Sequence, residues 1–536
     1  MQQAGRVDDK ILFWLINVTH LRKITRMQAT VRVQTDRVVA RAPDLLRGLF
    51  MEHVHRCIDD GIYEEDSPLS DERGFRIDVL DHLRELRPSL LRYPGGNFAC
   101  DYDWRQGVLP KEQRPRRFNY GTQEIASYRF GTHEFFEYCR ELGAEPMLTI
   151  NAGTGTPSMG ADWVEYCNSA GDGEFARLRR ANGFDEPWHV PYWFLGNEIY
   201  GDWVPGTMTG EAYARFAVEA AKLIKWVDPD VKLIGIATGT YLPDWDRASL
   251  ESTVDIVDYV SLHMYVGRHN YYDCVGSPAV IEQGIRLVRG AIEAAANKKN
   301  LQQLPLISLD EYNVWYRTRH VPDAAEERYN LQDALTVAGI QHVLFRNAQT
   351  VGMACLALVC NTLGPIMTNA DGSFRQTIYW PLKFVADYFG RDVVDCFVRC
   401  PTFTCRHPKT FAGIVEVDAA GQDIDNQATR ELMAEFPDLP YLDVCTTVDQ
   451  AARKLILSVI NRHETETMET SVQIIGDRVL GTATGHLLTA PSVKTENSFE
   501  NPDAVVPVPV QEFSVANDFT YSFPAHSHTV LSVALQ

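Results

Sequence analysis

The sequence lacks a cysteine framework and an excess of basic residues. Its 11 cysteines are scattered through 536 residues and are odd in number, so reduced thiols and a cytoplasmic setting are expected. Lysine and arginine number 51 against 71 aspartates and glutamates, which gives a formal net charge of −20. Nucleic acids and anionic membranes attract basic surfaces, so this balance argues against both as partners.

A long hydrophobic run is also absent. The most membrane-like stretch, residues 11–21, is too short to span a bilayer. Asp8 and Asp9 precede it and no small-residue cleavage site follows, so a secretory signal is not indicated. Because Met27 opens a cleaner start, residues 1–26 are interpreted as an N-terminal extension, as a misassigned start codon would produce.

No cofactor or metal motif stands out. No Gly-x-Gly-x-x-Gly follows any predicted strand, which argues against an open sheet that binds a dinucleotide. The tightest group of metal-type ligands is Cys396, Cys400, Cys405 and His407, but its spacings do not fit a zinc motif. Small apolar side chains on strands are the simpler interpretation. We therefore predict no cofactor and no metal.

Short apolar runs alternate with amphipathic helices along most of the chain. Buried strands are predicted at 45–51, 89–93, 146–150, 192–195, 231–236, 256–262, 306–309 and 353–359. Helices are predicted at 71–86, 132–142, 161–181, 213–227, 277–292, 327–347 and 379–388. Eight strand–helix units predict an α/β fold with a closed (β/α)₈ TIM barrel over residues 46–385. An open doubly wound sheet is the alternative.

The pattern changes after about residue 385, where strands alternate with turn residues. Strands are predicted at 393–398, 410–417, 454–461, 471–475, 513–516 and 529–534. They indicate a C-terminal antiparallel β-sandwich of jelly-roll type. A strand at 28–40 has no helix partner and is expected to join it. The predicted sandwich domain therefore combines residues 27–45 with residues 386–536.

Two predicted barrel strands lead into acidic residues. The run Gly196-Asn197-Glu198 follows strand four, and Asp310-Glu311 follows strand seven. Barrel active sites lie at the C-terminal ends of the strands, so these carboxylates should meet. A carboxylate pair suits acid/base and nucleophilic catalysis on a sugar. Other strand ends add Glu52, Arg92, Asn97, Asn151, His263, Tyr265 and Trp315.

Each residue also has a structural interpretation. A lone glutamate at a strand end is usually solvated, and Asn97 after two glycines suits a turn. His263 could be a satisfied structural histidine, and Arg92 could simply pair with a carboxylate across the barrel. Trp315 could be a core aromatic. The matching contexts of the two glutamates favour catalysis.

A metal-dependent barrel hydrolase is a rival class. His53 and His55 stand at alternate positions after strand one, a spacing that such enzymes use for a divalent ion. Strands five and eight end without the imidazole and carboxylate that would complete the site. A non-catalytic sugar-binding protein is a third class, but both glutamates are present.

Four segments carry a resemblance to the α-L-arabinofuranosidases of glycoside hydrolase family 51, which are retaining barrel hydrolases. The segments are 91–98 (LRYPGGNF), 193–198 (WFLGNE), 261–265 (SLHMY) and 307–316 (ISLDEYNVWY), with lesser similarity at 49–53 and 375–378. The resemblance covers about residues 28–536. It implies that Glu198 is the general acid/base and Glu311 the nucleophile.

The resemblance also implies a substrate-binding set. Asn197 would bind the hydroxyl next to the anomeric carbon, and Arg92 and Tyr265 would keep the nucleophile ionised and oriented. The remaining substrate-binding residues are Glu52, Asn97, His263, Trp315 and Gln376. The chain departs from the family pattern at Tyr312 and at Ile199-Tyr200, which are expected to lie beside the pocket.

The implied function is that of a cytoplasmic, retaining, exo-acting α-L-arabinofuranosidase. It would release terminal arabinofuranose from arabino-oligosaccharides or from arabinoxylan and arabinan fragments. β-Xylosidase or endoglucanase activity on the same scaffold is the alternative. Family members commonly form hexamers, so a homo-oligomer is expected.

Overall fold

Eight parallel strands close into a barrel in the computed structural model, which describes residues 27–316, 326–408 and 426–536. The predicted extension at 1–26 and the predicted strand at 410–417 lie outside the described residues. Among the described residues, no helix combines the length and apolar character needed to cross a membrane.

The first part of the chain contains the barrel and two hairpins. Its strands are β1 Met27–Arg41, β2 Gly48–Phe50, β3 Leu90–Tyr93, β4 Arg116–Asn119, β5 Glu124–Ser127, β6 Glu145–Thr149, β7 Tyr192–Phe194, β8 Lys232–Ile236, β9 Tyr259–Val266, β10 Leu306–Val314, β11 Val351–Ala357, β12 Ile366–Asn369 and β13 Gly372–Arg375. Its helices are α1 Ile77–Leu86, α2 Trp104–Gly107, α3 Thr132–Leu142, α4 Pro157–Asn168, α5 Glu174–Ala181, α6 Gly210–Val227, α7 Pro243–Thr253, α8 Tyr271–Gly276, α9 Pro278–Lys298, α10 Leu331–Arg346 and α11 Tyr379–Tyr388. Strands β2, β3 and β6–β11 form the barrel in chain order, with β11 pairing β2.

The predicted (β/α)₈ barrel is confirmed, and its strands are buried on both faces. Two strands run further than predicted, since β9 continues to Val266 and β10 to Val314. These extensions carry the polar residues His263 and Glu311 into the barrel mouth. Helix α7, which lies between β8 and β9, was not predicted from the sequence.

Helix starts follow ordinary capping rules. The Thr156 hydroxyl accepts a hydrogen bond from the Met159 amide at 3.2 Å, and Pro157 occupies the first turn of α4. At α10, Asn330 and Asp333 form a reciprocal capping box. These caps fix where each helix leaves its preceding loop.

The C-terminal part forms a ten-stranded sheet that takes in β1. Its remaining elements, together with a separate β15–β16 hairpin, are β14 Asp392–Arg399, β15 Thr402–Pro408, α12 Gln427–Leu432, β16 Met433–Pro440, β17 Leu442–Asp449, β18 Lys454–Asn461, β19 Met468–Ile475, β20 Leu480–Leu488, β21 Val508–Pro509, β22 Phe513–Ala516, β23 Asp518–Phe523 and β24 Ser527–Ala534. The predicted place of the N-terminal strand is confirmed, because β1 pairs antiparallel with β14. It also pairs in parallel with β19, so the sheet is not purely antiparallel.

This sheet has a core of its own. Val31 and Val33 of β1, Leu457 of β18, Val472 of β19 and Phe523 of β23 are all buried in one apolar cluster. Burying each such side chain contributes about 1.5–3 kcal/mol. The barrel has a separate, larger core.

A buried polar chain joins the barrel to the sheet. Asp443 accepts a hydrogen bond from His342 Nδ1 at 3.0 Å, so His342 Nε2 is the acceptor for the Ser458 hydroxyl at 2.8 Å. The Ser458 oxygen then accepts from His528 Nε2 at 2.8 Å. Arg346 pairs with the same oxygen of Asp443, and Arg462 lies 3.3 Å from the other oxygen. Each hydrogen bond thus has one direction, with both histidines neutral.

The buried hydrogen bonds through His342, Ser458 and His528 predict that the protein becomes less stable as the pH falls. Burial lowers the pKa of His342 and holds the pKa of His528 well below its usual range. Below pH about 6.5 these histidines bind protons only after unfolding, so the free energy of unfolding falls by up to about 1.4 kcal/mol per pH unit for each. Urea unfolding between pH 7 and pH 5 should show this fall.

The control for that experiment is an exposed histidine. His528→Gln should reduce the slope of unfolding free energy against pH, whereas His189→Gln, at an exposed barrel position, should leave the slope unchanged. Equal slopes in wild type and His528→Gln would contradict the role given to the buried histidine.

Candidate active site

The two predicted glutamates meet at the mouth of the barrel. Glu198 follows β7 after a sharp turn in which Gly196 has φ +108° and Glu198 itself φ +39°. Glu311 lies within β10, beside a register shift against β9. Such backbone strain at a non-glycine residue is found mainly at functional sites.

The spacing of the pair fits one reaction geometry. A carboxylate oxygen of Glu198, a carboxylate oxygen of Glu311 and a ring nitrogen of His263 all lie within 4.8 Å of one another. All three residues are buried. Carboxyl groups about 5 Å apart are typical of retaining glycosidases, and inverting enzymes need a wider gap for water.

Glu311 is held by two donors. Arg92 Nη1 donates to its Oε1 at 2.6 Å, and the Tyr265 hydroxyl donates to its Oε2 at 2.8 Å. Arg92 is fully buried, with its guanidinium 4.3 Å from the Phe50 ring centre and 5.0 Å from that of Phe194. These contacts fix the orientation of the Glu311 carboxyl.

Amide groups and a further carboxyl lie next to the pair. Arg92 Nη2 donates to Asn197 Oδ1 at 2.6 Å, and Asn197 Nδ2 lies 3.4 Å from Asn97 Oδ1. Glu52 Oε1 accepts from the amides of Gly96 and Phe98 at 2.8 and 2.9 Å.

Glu52 is buried, and its environment changes its acidity. Burial raises the pKa of Glu52 to about 7, although the Phe98 amide opposes the shift. A carboxyl with such a pKa can donate or accept a hydrogen bond near neutral pH. Glu52 is therefore suited to bind a hydroxyl in either role.

Glu198 has a different set of neighbours. Trp203 Nε1 donates to its Oε2 at 2.8 Å, and the Tyr200 hydroxyl lies 3.4 Å from its Oε1. His263 Nδ1 lies 2.9 Å from the same Oε1. Trp203 was not predicted from the sequence, because it stands in an irregular loop whose path no pattern fixes.

His263 carries a proton in this setting. Burial by itself lowers its pKa, but the nearby charges of Glu311, Asp310 and Glu198 outweigh burial and raise the pKa of His263 to about 10. A protonated imidazole has no free lone pair for a metal. The Glu198–His263–Glu311 group is thus better suited to proton transfer than to metal binding.

Two predicted binding residues have contrasting positions. Trp315 is half-buried and its ring stands edge-on to Tyr265, with ring centres 5.3 Å apart, so it borders the pocket. Gln376 is buried and bonds to the protein backbone, accepting from Tyr329 and donating to Glu327 and Gly364. Its amide lies outside the hydrogen-bond network that joins the two glutamates.

The expectation that Tyr312 lies beside the pocket is wrong. Side chains alternate along β10, so Tyr312 points outward while Glu311 points in. Gln341 of α10 donates to the Tyr312 hydroxyl at 2.7 Å. Of the two departures from the family pattern, only the one at Ile199-Tyr200 reaches the site, through the Tyr200 hydroxyl.

The two groups of residues that the sequence offered as metal ligands do not form metal sites in the structure. His53 is buried with Nε2 bonded to the Phe130 carbonyl, whereas His55 pairs with Glu124 at the surface. In the cysteine group, Cys405 donates to the Asp273 carbonyl and Cys400 accepts from a backbone amide. Among the described residues, neither set forms a metal-ligand cluster.

Gly96 gives a test of how tightly the pair is held. A Cβ atom there would lie 2.9 Å from Glu311 Oε1 and 3.3 Å from Asn197 Nδ2, so Gly96→Ala must displace the carboxylate. A catalytic group misplaced by about 1 Å can lose about 100-fold in rate, so kcat should fall by up to about 100-fold. Gly290→Ala in α9, where a Cβ meets nothing within 4 Å, is the control and should retain full activity. Full activity in Gly96→Ala would contradict this geometry.

A (β/α)₈ barrel with two glutamates at this spacing, on its fourth and seventh strands, defines the class of retaining barrel glycoside hydrolases. Two family models match the chain. The "Alpha-L-arabinofuranosidase 1 domain" matches residues 82–276, and the "Alpha-L-arabinofuranosidase C-terminal domain" matches residues 310–527.

Relatives and solved structures agree with these matches. A "Probable alpha-L-arabinofuranosidase C" of Aspergillus fumigatus is 34% identical, covering 96% of this chain and 99% of its own. An "Intracellular exo-alpha-(1->5)-L-arabinofuranosidase 1" of Bacillus subtilis is 30% identical, covering 95% and 99%. The family 51 α-L-arabinofuranosidase of Thermotoga petrophila has a TM-score of 0.85 at 35% identity, covering 94% and 100%. The chain belongs to the α-L-arabinofuranosidases of glycoside hydrolase family 51.

Proposed function

We propose that the chain is a retaining, exo-acting α-L-arabinofuranosidase that releases terminal arabinofuranose from arabino-oligosaccharides or arabinoxylan and arabinan fragments. The observation that carries the proposal is the Glu198–Glu311 pair at the retaining spacing. The exo-(1→5) specificity in the name of the Bacillus subtilis relative supports an arabino-oligosaccharide substrate.

The reaction runs as a double displacement. Glu311 attacks the anomeric carbon and forms a glycosyl ester while Glu198 protonates the departing oxygen. Glu198 then removes a proton from water, which attacks the ester and releases arabinose with retained configuration. Arg92 and Tyr265 hold Glu311 in position for the attack.

The remaining polar groups bind the sugar. Asn197 holds the hydroxyl next to the anomeric carbon, where contacts strengthen in the transition state. Glu52 and Asn97 bind other hydroxyls, and Trp315 offers an apolar face to the ring carbons. Gln376 instead joins the backbone that follows β10, at Glu327 and Tyr329, to the backbone that follows β11, at Gly364.

A screen of nitrophenyl glycosides tests the activity. The α-L-arabinofuranoside should be turned over, while the β-D-xyloside and β-D-glucoside should react far more slowly. Addition of a chelator should leave the rate unchanged. Turnover of the xyloside or glucoside alone would refute the proposal.

The cellular location and the oligomeric state of the protein are also proposals. A cytoplasmic location is supported by the 11 free thiols, nine of them buried, and by the word intracellular in the name of the Bacillus subtilis relative. A homo-oligomer, hexameric as implied by the resemblance, is testable by light scattering. The domain division at residues 46–385 stays a prediction, and the barrel strands, which span 48–357, fall within it.

A further inference from the structure

A second acid lies behind the catalytic pair. Asp310 is fully buried, and its Oδ1 accepts a hydrogen bond from the Ser261 hydroxyl at 2.6 Å. Its Oδ2 has no hydrogen-bond partner among the residues that the structure describes. Burying a carboxylate oxygen without a hydrogen bond destabilises the fold, so a buried Asp310 calls for a functional explanation.

The imidazole of His263 separates Asp310 from the acid/base. Among the described residues its Nε2 makes no hydrogen bond but lies 3.5 Å from Asp310 Oδ1 as an ion-pair contact. Its Nδ1 lies 2.9 Å from Glu198 Oε1 and 3.5 Å from Glu311 Oε2. The ring is buried, so water does not compete for either nitrogen. Three carboxylates therefore act on one imidazole.

We propose that Asp310 is a positioning residue that keeps His263 protonated at Nε2 while Nδ1 keeps its own proton and donates a hydrogen bond to the Glu198 carboxyl. A carboxylate on one ring nitrogen fixes the tautomer and raises the basicity of the other. With both ring nitrogens protonated, Nδ1 donates a hydrogen bond to Glu198 Oε1 whether the Glu198 carboxyl is protonated or ionised.

This inference rests on the proposed double displacement and assigns His263 and Asp310 a role in its proton transfers. When Glu198 gives its proton to the departing oxygen, the O–H bond of Glu198 breaks and its carboxylate is left beside His263. His263, which carries a proton on both ring nitrogens throughout, donates its Nδ1 hydrogen bond to that carboxylate and stabilises its charge. When Glu198 later takes a proton from water, the pair returns to its starting state.

Other charged and titratable groups near His263 also influence its proton affinity. Glu198 and Glu311 contact the ring directly, and Arg92 lies behind Glu311. Tyr265 follows on the same strand with its hydroxyl on Glu311, and Glu52 lies on the neighbouring side of the pocket. Among the charged groups of the described residues, Asp310 is the one next to Nε2. Its removal therefore acts on the proton affinity of the Glu198–His263 pair without removing a contact to the sugar.

The test is the pH dependence of kcat/KM for Asp310→Asn on two substrates. For arabinotriose, whose poor leaving group needs a proton, the basic limb should move to lower pH by about one unit. For nitrophenyl arabinofuranoside, whose leaving group needs little acid help, the basic limb should stay in place. An unchanged basic limb on arabinotriose, or an equal loss on both substrates without a shift, would overturn the proposal.

Ser261→Ala is the matched variant and also serves if Asp310→Asn does not fold. It removes the hydrogen bond to Asp310 Oδ1 but keeps the aspartate charge for His263. The basic limb on arabinotriose should therefore stay or move to higher pH, and a shift to lower pH would overturn the proposal. A wild-type enzyme inactive on both substrates would instead refute the proposed function itself.

Discussion

Replacing Glu311 by alanine is expected to abolish turnover of every substrate. Among the described residues, Glu311 is the carboxylate that Arg92 and Tyr265 orient beside Glu198. Without it, both natural oligosaccharides and activated aryl glycosides lose the first step. Loss of one member of a catalytic unit typically costs about 10⁴–10⁶ in kcat. The measurement is kcat on arabinotriose and on nitrophenyl arabinofuranoside, with the melting temperature as a check on folding.

Azide separates loss of the nucleophile from general damage. In Glu311→Ala the cavity left by the carboxylate should admit azide, which attacks from the nucleophile's face. The product from the aryl substrate would be the β-arabinofuranosyl azide, of inverted configuration. An α-azide, or substantial turnover without azide, would contradict the assignment of Glu311.

Replacing Glu198 by alanine is expected to divide substrates by leaving group. Arabinotriose needs protonation of its departing oxygen, so its kcat/KM should fall by about 10²–10⁴. Nitrophenyl arabinofuranoside should keep its kcat/KM within about tenfold of wild type, while hydrolysis of the ester becomes slow and a burst of nitrophenol appears.

Trp203→Phe is the control for Glu198→Ala. It removes the hydrogen bond to Glu198 Oε2 but keeps the carboxyl, so it should reduce arabinotriose turnover much less. Equal losses on both substrates in Glu198→Ala would contradict the acid/base role.

The barrel was predictable because its strands and most of its helices follow clear periodicities. Helix α7 was not, because its buried face is only partly apolar: Asp246, Ser249 and Thr253 are buried beside Trp245 and Leu250. Asp246 accepts from the amides of the preceding loop, so tertiary contacts rather than hydrophobic spacing stabilise this helix.

The ends of β9 and β10 were misplaced for a related reason. Polar residues normally mark the end of a buried strand, yet His263, Asp310, Glu311 and Asn313 continue the strands inside the barrel. Arg92 donates to the Asp310 carbonyl and to Glu311, and the Asn313 amide donates to the Ala357 and Leu363 carbonyls. Contacts between strands that are distant in sequence set this pattern, so one strand alone does not show it.

Much of the site itself was predictable. The two glutamates were identified by their place at strand ends, and the structure brings them together with Arg92 and Tyr265. Asp310 and Trp203 were missed as partners of the pair. Trp203 depends on the path of a loop, and Asp310, although next to Glu311, depends on the bulge in β10 that turns it towards Ser261 and His263.

The stereochemical course of methanolysis tests the account most directly. Wild-type enzyme would be given nitrophenyl α-L-arabinofuranoside in dilute methanol, and the methyl glycoside formed would be followed by proton NMR. Two carboxylates within 4.8 Å of each other predict methyl α-L-arabinofuranoside as the initial product, because two inversions restore the configuration. Initial formation of the β-anomer, or of no methyl glycoside at all, would contradict the double displacement.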